Sequence, residues 1–225
     1  MFSDLVCPRD HGPLTHHGDS LTCPAGHSYP VRGGIPIFIL PERQQTTDGA
    51  LRSVDPKFIE EELKRDDGTT PPLTEIHPLV RDIVGGTCGY MYDAIKQSLN
   101  HYPIPKLRLP PSTTNQTFLD IGSNWGRWSV AAAQAGYRVT GIDPSFGALV
   151  VAKRVFRQFG LEGTFICADA RYLPFKNGLF DQAFSYSVLQ HFSKPDCRQA
   201  LQEIARVTGG SVLIQMANQY GIRSI

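Results

Sequence analysis

The second half of the chain alternates short apolar runs with longer amphipathic stretches. Thr117-Phe-Leu-Asp-Ile121 is a short, mostly apolar run that closes on Gly122. Arg127 to Ala135 is alanine-rich and predicts a helix. Gly136 stops that helix, because glycine tolerates the left-handed conformation just past a helix end. Arg138 to Asp143 predicts a second strand, ending in an acid. Ser145 is placed to cap a helix from about Phe146 to Phe159, which Gly160 ends. Thr164 to Ala168 predicts a third strand, Leu179 to Ser185 a fourth and Ser211 to Met216 a fifth. A helix from Pro195 to Val207 separates the last two. Strands alternating with helices predict an α/β fold, a parallel sheet with right-handed crossovers. Ligands bind such sheets beyond the carboxyl ends of the strands. Asp120, Asp143, Asp169 and Gln190 all fall at or just past those ends.

The first strand–glycine–helix unit carries the chemistry. Gly122 and Gly126 flank Asn124 and Trp125 there. A strand feeding a helix through glycines lets the backbone come close to a ligand. It also leaves the first N–H groups of the helix free to bind one. Asp143, about twenty residues past the glycines, suits hydrogen bonds to ribose hydroxyls. An ordinary βαβ unit with a structural glycine is the bland alternative.

Residues 1–42 have a different character. They are rich in Gly and Pro, hold Cys7, His11, His16, His17, Cys23 and His27, and have too few apolar residues for a core. Small domains of this kind need a metal or a disulfide. Cys7-Pro-Arg-Asp-His11 and Cys23-Pro-Ala-Gly-His27 are both C-P-x-x-H, with residues 12–22 between them. Two such knuckles with a hairpin-length spacer match tetrahedral zinc, with Cys7, His11, Cys23 and His27 as ligands. Asp10 is the alternative to His11, since it sits where a C-x-x-C knuckle places its second ligand. A Cys7–Cys23 disulfide, or free thiols, is the metal-free alternative. His16 and His17 fall in the hairpin turn and are expected in solvent.

Between these regions the pattern is weaker. Residues 43–56 read as a polar linker, and Phe58 to Lys64 as a short acidic helix. Asp66 to Pro72 is a break. Pro78 to Asn100 reads as helical, with a bend at Gly85, Gly86 and Gly89, which are costly inside a helix. The expected organisation is a small metal-binding module over 1–42, a linker and helical cap over 43–115, and the sheet domain over 116–225.

Composition changes little in this picture. Lys+Arg 22 against Asp+Glu 21 gives a net charge of +1, which argues neither for nor against nucleic acid. No apolar run is long enough for a membrane span, and the N-terminus lacks a signal-peptide pattern. Five cysteines, an odd count, argue against a closed disulfide framework and favour a reduced, cytoplasmic compartment.

Asp120-Ile-Gly-Ser-Asn-Trp-Gly126 resembles the first motif of class I S-adenosylmethionine-dependent methyltransferases, with Asn124 where the middle glycine usually stands. A dinucleotide dehydrogenase would need G-x-G-x-x-G, and this segment offers G-x-x-x-G. Asp169-Ala170, followed by Leu173-Pro-Phe175, looks like the third motif. Phe180-Asp-Gln-Ala-Phe-Ser-Tyr-Ser-Val-Leu-Gln-His-Phe192 resembles the fourth. The resemblance covers residues 117–217. It implies a Rossmann-like sheet and S-adenosylmethionine as cofactor, held by Asp120, Gly122, Asn124, Gly126, Asp143, Asp169, Ala170 and Gln190. Asp169 would accept from the adenine amino group, although a turn acid is its plainer role. Tyr90, Met91 and Tyr92 precede the first strand, where a cofactor-covering segment stands in this family. His191 is the best-placed base, should the acceptor have to lose a proton.

The segment Ser28 to Ile39, with Tyr29-Pro-Val-Arg-Gly-Gly-Ile-Pro36, looks like the ending of a small zinc-ribbon family, the activator subunit of tRNA methyltransferases. The Cys23 knuckle also resembles the zinc module of ribosomal RNA guanine-N1 methyltransferases. Class I methyltransferases carry seven strands, whereas this chain reaches a fifth. A fragment, or a partner that supplies the missing edge, is therefore expected, with self-association through the fifth-strand edge. The methyl acceptor stays open between a small molecule and RNA. A ribosomal or transfer RNA methyltransferase is one alternative. A zinc-dependent binding or activator protein that binds cofactor without catalysis is the other.

Overall fold

The computed structural model describes residues 2–85 and 96–216. Four short antiparallel strands open the chain: β1 (Thr15–His17), β2 (Ser20–Thr22), β3 (Ser28–Arg32) and β4 (Ile35–Pro36). Three helices follow among the described residues: α1 (Asp48–Arg52), α2 (Pro56–Arg65) and α3 (Pro78–Gly85). The sheet domain then runs β5 (Thr117–Ile121), α4 (Arg127–Gln134), β6 (Arg138–Asp143), α5 (Phe146–Phe159), β7 (Gly163–Cys167) and β8 (Phe180–Tyr186). A 3-10 turn (Leu189–His191), α6 (Lys194–Val207) and β9 (Thr208–Gln215) complete it.

The five strands are parallel, in the order β7-β6-β5-β8-β9. The chain walks outward from β5 to β7, then returns to the other side of β5 for β8. That reversal is the switch point at which α/β sheets bind ligands, and Gly122 stands at its mouth. The helices start where their side chains allow. Ser145 accepts from Ala148 at the start of α5, and Ser193 accepts from Asp196 at the start of α6. Gly160 ends α5 in the left-handed conformation.

Two apolar layers cover the sheet. On one face Phe118 and Val139 pack with Leu149, Val151 and Val155 of α5, and with Ile59, Leu79 and Val80 of α2 and α3. On the other, Leu119, Ile121, Ile142 and Ile166 pack with Ala200 and Ile204 of α6. Leu5, Cys7, Leu21, Tyr29, Phe38 and Leu40 belong to this second layer. The N-terminal strands thus have no core of their own and share the sheet's, so the chain does not part at residue 42. Leu5 bridges Phe175, and Ile37 bridges Cys167 in parallel.

The expected linker is a packed belt. Residues 43–56 contain α1, whose Ala50 is fully buried. Ser53 just past α1 accepts the Phe146 N–H at 2.8 Å, which ties the belt to the start of α5. Arg154 of α5, with a side chain 1% exposed, donates to Asp66 at 2.5 Å, to Asp67 at 2.9 Å and to the Thr69 carbonyl at 2.9 Å. Of the helix expected over 78–100, α3 forms the first part. Gly86, Gly89, Tyr90, Met91 and Tyr92 lie outside the described residues. β9 stands at the sheet edge with Val212, Ile214 and Met216 exposed. No helix among the described residues is long and apolar enough to cross a membrane.

Candidate functional site

The site begins where β5 runs out. Gly122 has φ +73°, and a Cβ there would stand 2.2 Å from Cγ2 of Val188, so the turn before the 3-10 segment closes directly over the glycine. Asn124 (φ 50°) and Gly126 (φ 87°) are also left-handed. Asparagine is among the few non-glycine residues that visit this region readily, since its short polar side chain bonds locally. Here its Oδ1 accepts the Trp125 N–H at 2.7 Å. Asn124 therefore holds a left-handed backbone of the kind that glycine adopts freely. Gly126 then opens α4 with no side-chain cap, leaving that helix start to backbone donors. Trp125, fully buried, anchors the turn.

Two buried carboxylates support this turn. Asp143 accepts the Asn124 N–H at 2.9 Å through Oδ2 and the Ser145 N–H at 2.9 Å through Oδ1. Asp120 accepts the Ser129 hydroxyl at 2.6 Å, which joins the end of β5 to the first turns of α4. Burial pushes both carboxyls up to about 6. Asp143's neighbouring charge adds to the rise at Asp120. The Ser123 hydroxyl is buried beside them with no protein partner. Each Asp143 oxygen keeps acceptor capacity after its one N–H, so the acid suits a ligand's hydroxyls.

The remaining residues fare differently. Asp169 is buried but committed to Arg171. Its oxygens accept from the Arg171 backbone N–H at 2.9 Å, from Nε at 3.1 and 3.0 Å and from Nη2 at 2.6 Å. Arg171 also reaches Asp196 at 3.1 Å and the Gln44 carbonyl at 2.6 Å. The plainer role of Asp169, a turn acid, is the one this geometry supports. Ala170 is buried beside it. Gln190 and His191 stand exposed on the 3-10 turn, just past Val188. Arg171 escaped sequence reasoning, although an arginine two residues past a turn acid was a signal available to it.

A second site lies in the N-terminal strands. Cys7, Asp10, Cys23 and His27 bring one ligand atom each to within 4.8 Å of one another. His27 Nδ1 is 3.4 Å from Cys7 Sγ, 3.3 Å from Cys23 Sγ and 3.3 Å from Asp10 Oδ2, and Cys23 Sγ is 3.7 Å from Asp10 Oδ2. A tetrahedron with metal–ligand distances of about 2.0–2.3 Å has edges of roughly 3.3–3.8 Å, and these four separations match such edges.

His11 is corrected. Its N–H closes a turn onto the Cys7 carbonyl, and at φ 55° the chain then departs in the left-handed region. Asp10 is thereby turned back over Cys7, while His11 Nε2 lies 4.0 Å from Glu203 of α6. The Tyr29 hydroxyl lies 3.1 Å from Cys7 Sγ and accepts from Arg9 at 2.8 Å, an outer layer that the sequence pattern did not reveal. Burial pushes the Cys7 thiol up, and the Tyr29 hydrogen bond offsets part of that rise. His16 and His17 are exposed on β1.

The comparisons with known proteins concern the sheet domain. Residues 118–210 match the family described as "Methyltransferase domain". An uncharacterized methyltransferase of Mycolicibacterium gilvum is 33% identical over 97 residues, 43% of this chain and 36% of the relative. A demethylmenaquinone methyltransferase of Paenarthrobacter aurescens is 38% identical over 101 residues, 44% of this chain and 38% of the relative. The matched part is thus little more than a third of these relatives' own length. Among solved structures, a Pyrococcus horikoshii protein aligns with a TM-score of 0.46 at 21% identity, over 62% of this chain and 58% of that one. The family match covers the strands and turns that hold Asp120, Gly122, Asn124, Gly126 and Asp143.

Proposed function

We propose that this protein transfers a methyl group from S-adenosylmethionine to an acceptor. The observation that carries the reading is the joint between Asp143 and the left-handed Asn124, which sets a buried carboxylate against a glycine turn at the sheet's switch point. Gly122, Asn124 and Gly126 form the backbone cradle, and Asp143 takes the ribose hydroxyls. Asp120 acts at one remove, holding the start of α4 through Ser129. When bound, the cofactor supplies an electrophilic methyl group on a sulfonium centre. The chain's task is then to align the acceptor and exclude water, and Val188, packed over Gly122, is placed to do the second. His191 serves as a base only for an acceptor that must lose a proton. The demethylmenaquinone methyltransferases among the relatives make a small molecule the first acceptor class to test, and RNA the second.

The second part of the reading is a structural zinc ion on Cys7, Asp10, Cys23 and His27. Thiolate, imidazole and carboxylate are zinc donors, and the spacing of the four atoms supports it. Free thiols at Cys7 and Cys23 suit a reducing cytoplasm. The test is transfer of labelled methyl from the cofactor into small-molecule and RNA fractions of an extract. Incorporation into one of them supports the enzyme. Tight cofactor binding with no incorporation anywhere would make the chain a cofactor-binding protein instead.

A further inference from the structure

The turn that carries Asp169 is bracketed on both flanks by the N-terminal strands. Ahead of it, Cys167 of β7 pairs in parallel with Ile37, and the Phe38 N–H donates to the Cys167 carbonyl at 2.7 Å. The next residue, Ala168, donates its N–H to the Asp143 carbonyl at 3.2 Å, so this flank reaches the ribose-side acid. Beyond the turn, Phe175 pairs with Leu5. The Val6 N–H donates to Pro174 at 3.0 Å and the Lys176 N–H to Asp4 at 3.3 Å.

Both flanks lead straight to the ligand cluster. Val6 adjoins Cys7, and β3, whose Tyr29 hydroxyl contacts Cys7 Sγ, runs through β4 into Ile37 and Phe38. Leu5, Cys7 and Phe38 lie in one buried cluster with Ala168, Ala170, Leu173 and Phe175.

We infer that metal occupancy at Cys7, Asp10, Cys23 and His27 positions the turn from Cys167 to Phe175 and thereby sets cofactor affinity. The inference rests on the metal and cofactor readings above. The N-terminal strands have no core of their own, so an ion that cross-links the two knuckles adds a joint between the segments of Val6 and Phe38 beyond their bonds to the sheet domain. Asp10 and His27 are both about a third exposed, so their contact is the outer joint of the cluster. The coupling is reciprocal: an ion that tightens cofactor binding is itself held more tightly when cofactor is bound. The effect is graded, because α6 holds the same turn from the other side. Leu173 donates its N–H to Glu203, and Arg206 donates to the Leu173 and Phe175 carbonyls.

The experiment compares the full chain loaded with zinc and stripped by a chelator. Amide hydrogen exchange and calorimetric titration with S-adenosylmethionine are measured on both. Stripping should speed exchange across residues 167–175 while β5 stays protected, and should weaken cofactor binding roughly tenfold. Leu5→Ala keeps all four ligands and should still bind one zinc. It should also weaken cofactor binding, with less further loss on stripping.

Equal cofactor affinity in both forms, with exchange faster only in the N-terminal strands, would overturn the coupling and leave the metal site standing. A chain that binds no zinc overturns the metal reading and this inference together. A chain that binds zinc but no cofactor overturns the cofactor reading and this inference with it.

Discussion

Lowering the pH is expected to weaken cofactor binding through Asp143. Burial raises this carboxyl from 3.8 to about 6, against the pull of the Ser145 and Asn124 N–H groups. Ribose hydroxyls donate best to the ionised form, so affinity should follow the fraction ionised. That fraction falls from about nine-tenths at pH 7 to about one-tenth at pH 5, a tenfold loss worth about 1.4 kcal/mol.

The stability sign is opposite. With the native value above the unfolded one, the native state holds more protons between pH 4 and 6, so stability falls as pH rises through that window. The buried charge costs on the order of 3 kcal/mol at pH 7, and Asp120, raised to about 6 partly by Asp143, adds to the same slope.

Asp143→Asn removes the charge but turns an amide donor toward one of the two backbone N–H groups. Affinity should fall by about ten- to a hundredfold and lose its pH dependence. The melting temperature at pH 7 should change little, because the lost hydrogen bond is offset by the lost buried charge. Calorimetric titration at pH 5, 6 and 7, with melts on the same samples, measures both. Wild-type affinity that is flat across this range, or Asp143→Asn binding as tightly as wild type, would refute the assignment.

Three further outcomes are expected. Elemental analysis of freshly reduced protein should find one zinc per chain, lost in Asp10→Ala and kept in His11→Ala, because Asp10 stands in the cluster and His11 does not. Gly122→Ala combines a φ of +73° with a Cβ 2.2 Å from Val188, and should cost about 2–5 kcal/mol in urea unfolding; Val188→Ala in the same chain should restore part of that. Arg154→Met strips the buried guanidinium from Asp66, Asp67 and Thr69, and should destabilise by about 3 kcal/mol. Asp66 keeps its bonds from Arg157 at 2.7 and 3.0 Å, so a loss well under ~1 kcal/mol in urea unfolding would show that the belt is held otherwise.

What was legible in the sequence was what local chemistry decides. The strands of the sheet follow from short apolar runs, and their carboxyl ends from the acids and glycines that close them. Ser145 and Gly160 marked both ends of α5. The belt was illegible because its structure is imposed from outside. α1 has five residues, two of them Asp and Gly, and forms because Ala50 and Ser53 find buried places against the rest of the fold. Arg154 reads in sequence as an ordinary helix-surface arginine, and only the fold brings Asp66 to Thr69 over it. The N-terminal strands were read as a separate module for want of a core. That want was real, but their apolar residues are spent on both layers of the sheet domain. The choice between Asp10 and His11 turned on one left-handed residue, which spacing alone does not show.

Asp169 shows how the same residue in a familiar place can do different work. A carboxylate offers about four acceptor sites. Arg171 takes most of them with three donors, its backbone N–H, an Nε–H shared between both oxygens, and its Nη2. An adenine amino group would have to compete with these charge-assisted bonds, and its neutral donor is the weaker of the two. Arg171 in turn is held by Asp196 and by Gln44 of the belt, so freeing Asp169 means loosening α6 or the belt as well. In the proposed reading, recognition of the cofactor is therefore carried by Asp143 and the left-handed turn. The acid at the end of β7 acts as a clamp that joins belt, turn and α6, on the same turn that the N-terminal strands bracket from outside.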